Sequence, residues 1–286
     1  MSRFFRIQFA SHPALIAAIG LAFACTGAEA QPPPDAITEF NSYVGGVEAR
    51  LANQHQSPSA FLANAASSAP QETRLRSGEL FVERLTPSST DTPGAMVHHW
   101  RATAFAPGAS AAAFEQLMKN FAAYPQIFSP QVMTAVATAP QPDHLLATMR
   151  VRQRHGLTVV MDTAYDVTFA RLDPRHCYSI SRSTRIEEIT SPGAASERAL
   201  SPEEEHGFLW RQNTYWSCEE RDGGLYMQVE SVSLTRSIPT GLGWALRPFV
   251  ESVPRESLEF TLRSTVNALR SSQRLAAQPA APRAAE

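Results

Sequence analysis

The residue types that could do chemistry in this chain gather around Glu230. It lies in "DGGLYMQVESVSLTR", downstream of "HGFLWRQNTYWSCE", which runs from His206 to Glu219. An Asp-Gly pair between two alternating runs signals a two-residue hairpin turn. Closing that hairpin on Asp222-Gly223 sets Tyr215 opposite Glu230. Side chains alternate along a strand, so Arg211, Asn213 and Tyr215 then share one face with Glu230. If Cys177 faces Cys218 across "SPGAASERALSPEEE", the same face also holds Arg182, opposite Asn213. A carboxylate, guanidiniums, an amide and a phenol on one covered face must satisfy one another or a ligand. Two readings stand: a structural Arg–Glu network, or a polar patch acting on a substrate through Glu230, Arg182 and Arg211.

Other chemistries lack their residues. No serine sits in a G-x-S-x-G elbow, and no G-x-G-x-x-G, Walker loop or H-E-x-x-H motif occurs. Glu187-Glu188 and Glu203 to Glu205 fall in or beside a polar loop and read as solvated charge. The eight histidines are scattered without metal-ligand spacing, so neither a metal nor another cofactor is expected. Cys177 and Cys218 have no Cys-x-x-Cys partner; an oxidising compartment would favour a disulfide between them, the alternative being two buried thiols. The formal net charge is −2 with no basic block, which argues against a nucleic-acid partner.

The elements that carry these residues follow from periodicity. "MSRFFRIQFASHPALIAAIGLAFACTGAEA" has Arg3 and Arg6 ahead of an apolar run and ends in Ala28-Glu29-Ala30. That is the pattern of a cleaved export signal, predicting a periplasmic or secreted protein. Residues 31–77 read as a helical arm and linker, with Ile37, Phe40, Val44, Val47 and Leu51 at helical spacing. The arm would pack on the main domain or reach a partner or a membrane surface. Residues 78–272 read as the main domain: two strands, a helix between Pro107 and Tyr124, six further strand-like runs, and a helix opening at Pro254. Residues 273–286 read as a disordered Ala/Pro-rich tail. The three-residue loop His155-Gly156-Leu157 sets Arg150 opposite Asp162 and leaves Leu157, Val159, Met161, Tyr165, Val167 and Phe169 on one apolar face.

Three stretches in this order resemble the START-like superfamily, also called SRPBCC or helix-grip. They are "FEQLMKNFAAYPQIFSP", "DGGLYMQVESVSLTRSIP" and "PFVESVPRESLEFTLRSTVNAL", spread over residues 78 to 270. The resemblance implies an α+β fold in which a curved antiparallel sheet wraps a long C-terminal helix. It also implies a cavity between them for a hydrophobic small molecule or lipid. On that reading Tyr165, Arg182, Leu209, Arg211, Asn213, Tyr215 and Glu230 face the cavity. Trp210 and Trp216 pack on the outer face beneath the arm, and "SIPTGLGWALRPF" is either a cavity mouth plugged by Trp244 or a simple connector. A cyclase-like or hydrolase-like enzyme on the same fold, and an interaction protein with a filled cavity, are the alternatives.

Overall fold

The computed structural model describes residues 31–63, 69–86, 93–155, 157–238 and 243–277. Residues 1–30, read above as an export signal, and residues 278–286 lie outside the described residues. Chain order gives α1 (Pro34–Gln54), α2 (Ala69–Arg76), β1 (Phe81–Arg84) and β2 (Ala95–Pro107). Next come α3 (Ala111–Lys119), the single turn α4 (Tyr124–Ile127), β3 (Val132–Thr138), β4 (His144–His155) and β5 (Leu157–Asp173). Then follow β6 (His176–Thr190), the short β7 (Arg198–Ala199), β8 (Arg211–Arg221), β9 (Gly224–Arg236) and α5 (Gly243–Ala277). The sheet is antiparallel throughout, in the order β1-β2-β9-β8-β6-β5-β4-β3, with β7 paired to β6. It is open, with β1 and β3 at its edges. This is the helix-grip arrangement, carrying an added N-terminal helix.

Helices cover both faces. On the concave face, Leu258, Leu262, Val266 and Leu269 of α5 join a core with Ala104, Met227, Trp216, Val167 and Phe169. On the convex face, Ala36, Phe40, Val44, Val47 and Leu51 of α1 pack on Val97, Trp210, Tyr215, Val232 and Leu234. The α1 stripe is the one that its spacing predicts. The sheet alone would leave a large apolar convex surface in water, and α1 removes it.

Two helix boundaries differ from expectation. The helix ahead of Pro125 ends at Lys119, and Pro125 stands instead in the first turn of α4. The last helix begins at Gly243 and ends at Ala277, so Pro254 lies in its interior and residues 273–277 are helical, not tail. An interior proline removes one ladder hydrogen bond but does not forbid the helix on either side of it.

The hairpin registers follow the turns. Arg150 pairs with Asp162, Tyr215 with Glu230, Cys177 with Cys218 and Arg182 with Asn213. The β6–β8 ladder ends at that last pair, so Thr184 and Ile186 do not reach Arg211 and Leu209 as expected. The departure that matters is between β5 and β6. Asp173 pairs with His176, but the next pair is Arg171 with Cys177, leaving Leu172 as a bulge. Without that extra residue, Ile180 and Arg182 would lie beside Phe169 and Val167. With it, Ser179 and Ser181 take those places. One residue of slip exchanges the faces of a strand. A second irregularity omits Thr184, pairing Ala164 with Arg185 and Tyr165 with Ser183, and reverses the exchange at the far end of β6.

Candidate functional site

The Leu172 bulge decides what lines the concave face. Alternation from the observed pairs brings Tyr165, Ser181, Ser183, Gln212, Thr214, Ser231, Ser233 and Trp100 to one half of it. The other half is apolar: Met227, Val229, Trp216, Val167 and Phe169 lie buried against α5 and α3, with the Phe114 ring 5.4 Å from Trp216. The concave wall is therefore graded from hydrocarbon at the α3 end to hydroxyl groups at the end where β4 turns into β5.

The hydroxyl half is less completely buried than the apolar half. Ser181, Ser183, Gln212, Thr214, Ser231 and Trp100 remain partly exposed, although they lie on inner strands of a sheet covered on both faces. Gln212 organises this half. Its amide oxygen accepts from the Tyr165 hydroxyl at 3.2 Å, its Nε2 donates to Ser231 Oγ at 3.4 Å, and its backbone N–H donates to Ser183 Oγ at 2.9 Å. Burial pushes the Tyr165 phenol up to about 12, so it acts as a hydrogen-bond donor and not as a base.

Of the residues expected to face the cavity, Tyr165 does. Arg182, Arg211, Asn213, Tyr215 and Glu230 do not: they share one face of the sheet, and it is the convex one, beneath or beside α1. That placement is corrected, and its cause is the Leu172 bulge. Trp216, expected outside, lies in the concave core, whereas Trp210 packs under α1 as expected. Trp244 falls within α5, but its side chain, like residues 239–242 of the expected mouth, lies outside the described residues.

On the convex face the polar residues satisfy one another. Glu230 is 1% exposed and accepts from His99 Nε2 at 2.9 Å, Arg101 Nε at 2.9 Å and Arg50 Nη2 at 2.5 Å. Burial alone would raise its carboxyl, but the His99 hydrogen bond and the Arg101 and Arg50 charges hold it at about 2. Tyr43 Oη lies 2.8 Å from His99 Nδ1 and extends the network to α1. Glu48, also on α1, takes Arg182 through two hydrogen bonds of 2.7 and 2.9 Å. It also accepts from Tyr215 Oη at 3.1 Å, and Asn213 Nδ2 donates to that same hydroxyl at 3.2 Å. Arg211 Nη1 donates to the Trp210 carbonyl at 2.9 Å. His55, just past the end of α1, lies 2.7 Å from Ser217 Oγ and stacks on Tyr178 at 4.1 Å. Burial lowers its imidazole to about 4 and keeps it neutral. Sequence reasoning missed Glu48 and Arg50. Glu48 carried a signal, because it falls one turn after Val44, on the apolar stripe itself.

The expected disulfide is also corrected: Cys177 and Cys218 are both buried and both free. Glu220 N donates to Arg175 O at 2.9 Å, which makes Arg175–Glu220 a hydrogen-bonded pair of the ladder. Cys177–Cys218 lies two residues along and is therefore of the same class, in which opposed side chains stand farther apart than a disulfide allows. Burial, with the hydrogen bond to Cys177, pushes the Cys218 thiol up and leaves it unreactive.

No family model matches the sequence, and no curated protein matches it. Solved structures similar to the chain include an aromatase/cyclase from Streptomyces sp. R1128, at 14% identity and TM-score 0.44, covering 64% of this chain and 100% of that one. A STAR-related lipid transfer protein from Xanthomonas axonopodis is similar at 15% identity and TM-score 0.42, covering 66% and 98%. A START superfamily protein from Mycobacterium smegmatis is similar at 15% identity and TM-score 0.38, covering 63% and 99%.

Proposed function

We propose that this protein is exported and binds a hydrophobic small molecule or lipid between the concave face of the sheet and α5. The observation that carries the reading is the partial exposure of Ser181, Gln212, Thr214 and Ser231 on the concave face, beside an apolar core. Ligand sites are concave and mostly apolar, with a few convergent polar groups, and this one meets that description. Export rests on the leader pattern, Arg3 and Arg6 before an apolar run that ends at Ala28-Glu29-Ala30. Binding without catalysis is favoured because Glu230 and Arg182, which suggested catalysis, are engaged by Arg50 and Glu48 of α1, and Arg211 lies on the same convex face. The test is titration of the purified protein with uncharged N-phenyl-1-naphthylamine, which fluoresces when it leaves water. Saturable uptake is expected, and Thr214→Trp, which fills the hydroxyl half, should abolish it while the far-UV circular dichroism stays unchanged. An absence of uptake by the parent protein would overturn the proposal.

A further inference from the structure

We infer that the cavity selects an uncharged amphiphile, whose apolar body lies along Met227, Val229 and Trp216 and whose hydroxyl- or carbonyl-bearing end meets Ser181, Thr214 and Ser231. This rests on the binding reading above and adds the chemical class of the ligand. Two independent features carry it. The first is the concentration of neutral hydrogen-bonding groups on three neighbouring strands, β6, β8 and β9, facing one space. Ser183 and Ser231 are positioned by Gln212, but the Ser181 and Thr214 hydroxyls make no hydrogen bond among the described residues. Both residues are partly exposed, and each hydroxyl can donate one hydrogen bond and accept others.

The second feature is where the cations go. The strands at this end are rich in arginine, yet Arg101, Arg182, Arg185, Arg211 and Arg236 alternate onto the convex face, whereas Arg84, opposite Trp100, is on the concave face but exposed on the edge strand β1. Arg182 is taken by Glu48, and Arg101 by Glu230 and Glu83. Among the described side chains, the imidazole on the concave side is His98, which is 2% exposed and lies 3.0 Å from Thr235 Oγ1. The acid beyond the second irregularity, Glu188, is 4% exposed and accepts from the backbone N–H groups of His206 and Phe208. A phosphate or carboxylate brought against Ser181, Thr214 and Ser231 would leave water and meet no cation on the concave face of β6, β8 and β9 among the described residues. That transfer is strongly unfavourable. A hydroxyl or ester carbonyl exchanges water for serine and threonine at little cost.

The test is displacement of N-phenyl-1-naphthylamine from the full mature chain by two lipids with the same tails, dioleoylglycerol and dioleoylphosphatidylglycerol. Dioleoylglycerol should displace the probe at a concentration at least about tenfold lower, since only the second lipid buries a phosphate. In a Ser181→Ala/Thr214→Val variant, the affinity for dioleoylglycerol should fall about tenfold relative to the affinity of the same variant for the probe, two hydrogen bonds' worth. Equal or better displacement by the anionic lipid would overturn the inference. So would failure of dioleoylglycerol to displace the probe, or a dioleoylglycerol affinity unchanged relative to that for the probe in the double variant. If the parent protein does not take up the probe at all, the binding reading fails first and this inference falls with it.

Discussion

At the scale of single residues, the convex face is held by ionisable groups whose protonation states matter to folding. His55 is neutral in the folded protein, with its imidazole lowered from the ordinary 6.5 to about 4. A histidine whose folded value is depressed contributes stability that is complete above 6.5 and is lost as the pH falls from 6.5 to 4, because the unfolded chain takes up the proton first. A shift of that size corresponds to at most about 3 kcal/mol. Glu230 acts lower down: its carboxyl is held at about 2, so its contribution is lost only as the pH falls from the ordinary carboxylate range toward 2. Glu205, raised by burial to about 7, works in the opposite direction over the same range, because it gains its proton more readily in the folded chain. Urea denaturation between pH 7 and pH 4.5 should therefore show the parent losing stability relative to His55→Gln, a relative loss that Glu230→Gln keeps. Parallel pH profiles for the parent and His55→Gln would refute the assignment to His55. Glu230→Gln should instead lower stability at every pH in that range, by about 3 kcal/mol, because Arg101 and Arg50 lose their shared anion.

At the scale of elements, one unpaired residue decides which face is the binding wall. Leu172 is the bulge between β5 and β6 and is 37% exposed. Its side chain does little, but its place in the chain does much. Leu172→Ala should change stability by less than about 0.5 kcal/mol, as exposed substitutions do. Deleting Leu172 would drive Ile180 and Arg182 into the concave core and turn the serines out, so the deletion should abolish cooperative unfolding and probe uptake together. A deletion variant that unfolds cooperatively at the parent midpoint would show that the bulge does not set the register. This is also where the sequence stopped being legible. The Asp222-Gly223 and His155-Gly156-Leu157 turns announce their registers, so the Tyr215–Glu230 and Arg150–Asp162 pairs could be read directly. The apolar spacing of α1 and of residues 258 to 269 was equally plain. Nothing in "RLDPRHCYS" marks a bulge, since a two-residue turn at Pro174-Arg175 is satisfied with or without it. The grouping of Arg182, Asn213, Tyr215 and Glu230 on one face was legible, but which face it was depended on that single residue. The role of α1 was hidden for a different reason: its contacts join residues such as Arg50 and Glu230, which local pattern cannot connect.

At the scale of the whole molecule, the sheet is a wall with different work on its two sides. The convex side buries the α1 stripe and the ionic network. The concave side combines a buried hydrocarbon half with a partly exposed hydroxyl half. Because side chains alternate strictly between faces, a substitution on one side reaches the other only through the backbone. Stability and ligand affinity should then separate by face. Val47→Ala removes buried apolar volume under α1, where Val47 is 7% exposed, and should cost about 2 kcal/mol of folding stability. It should leave the dissociation constant for N-phenyl-1-naphthylamine within about twofold of the parent, since additivity holds for sites that share no partners. Thr214→Trp should do the reverse, removing probe binding with little loss of cooperativity in urea. Ligand itself should stabilise the parent by about 2.7 kcal/mol at a free concentration one hundred times its dissociation constant, and Val47→Ala by the same increment. Equal increments in the two proteins would mean that α1 stabilises the wall without shaping the cavity. A smaller increment in Val47→Ala would mean that the arm reaches through the sheet to set the spacing of β6, β8 and β9, making the convex network part of the binding site after all.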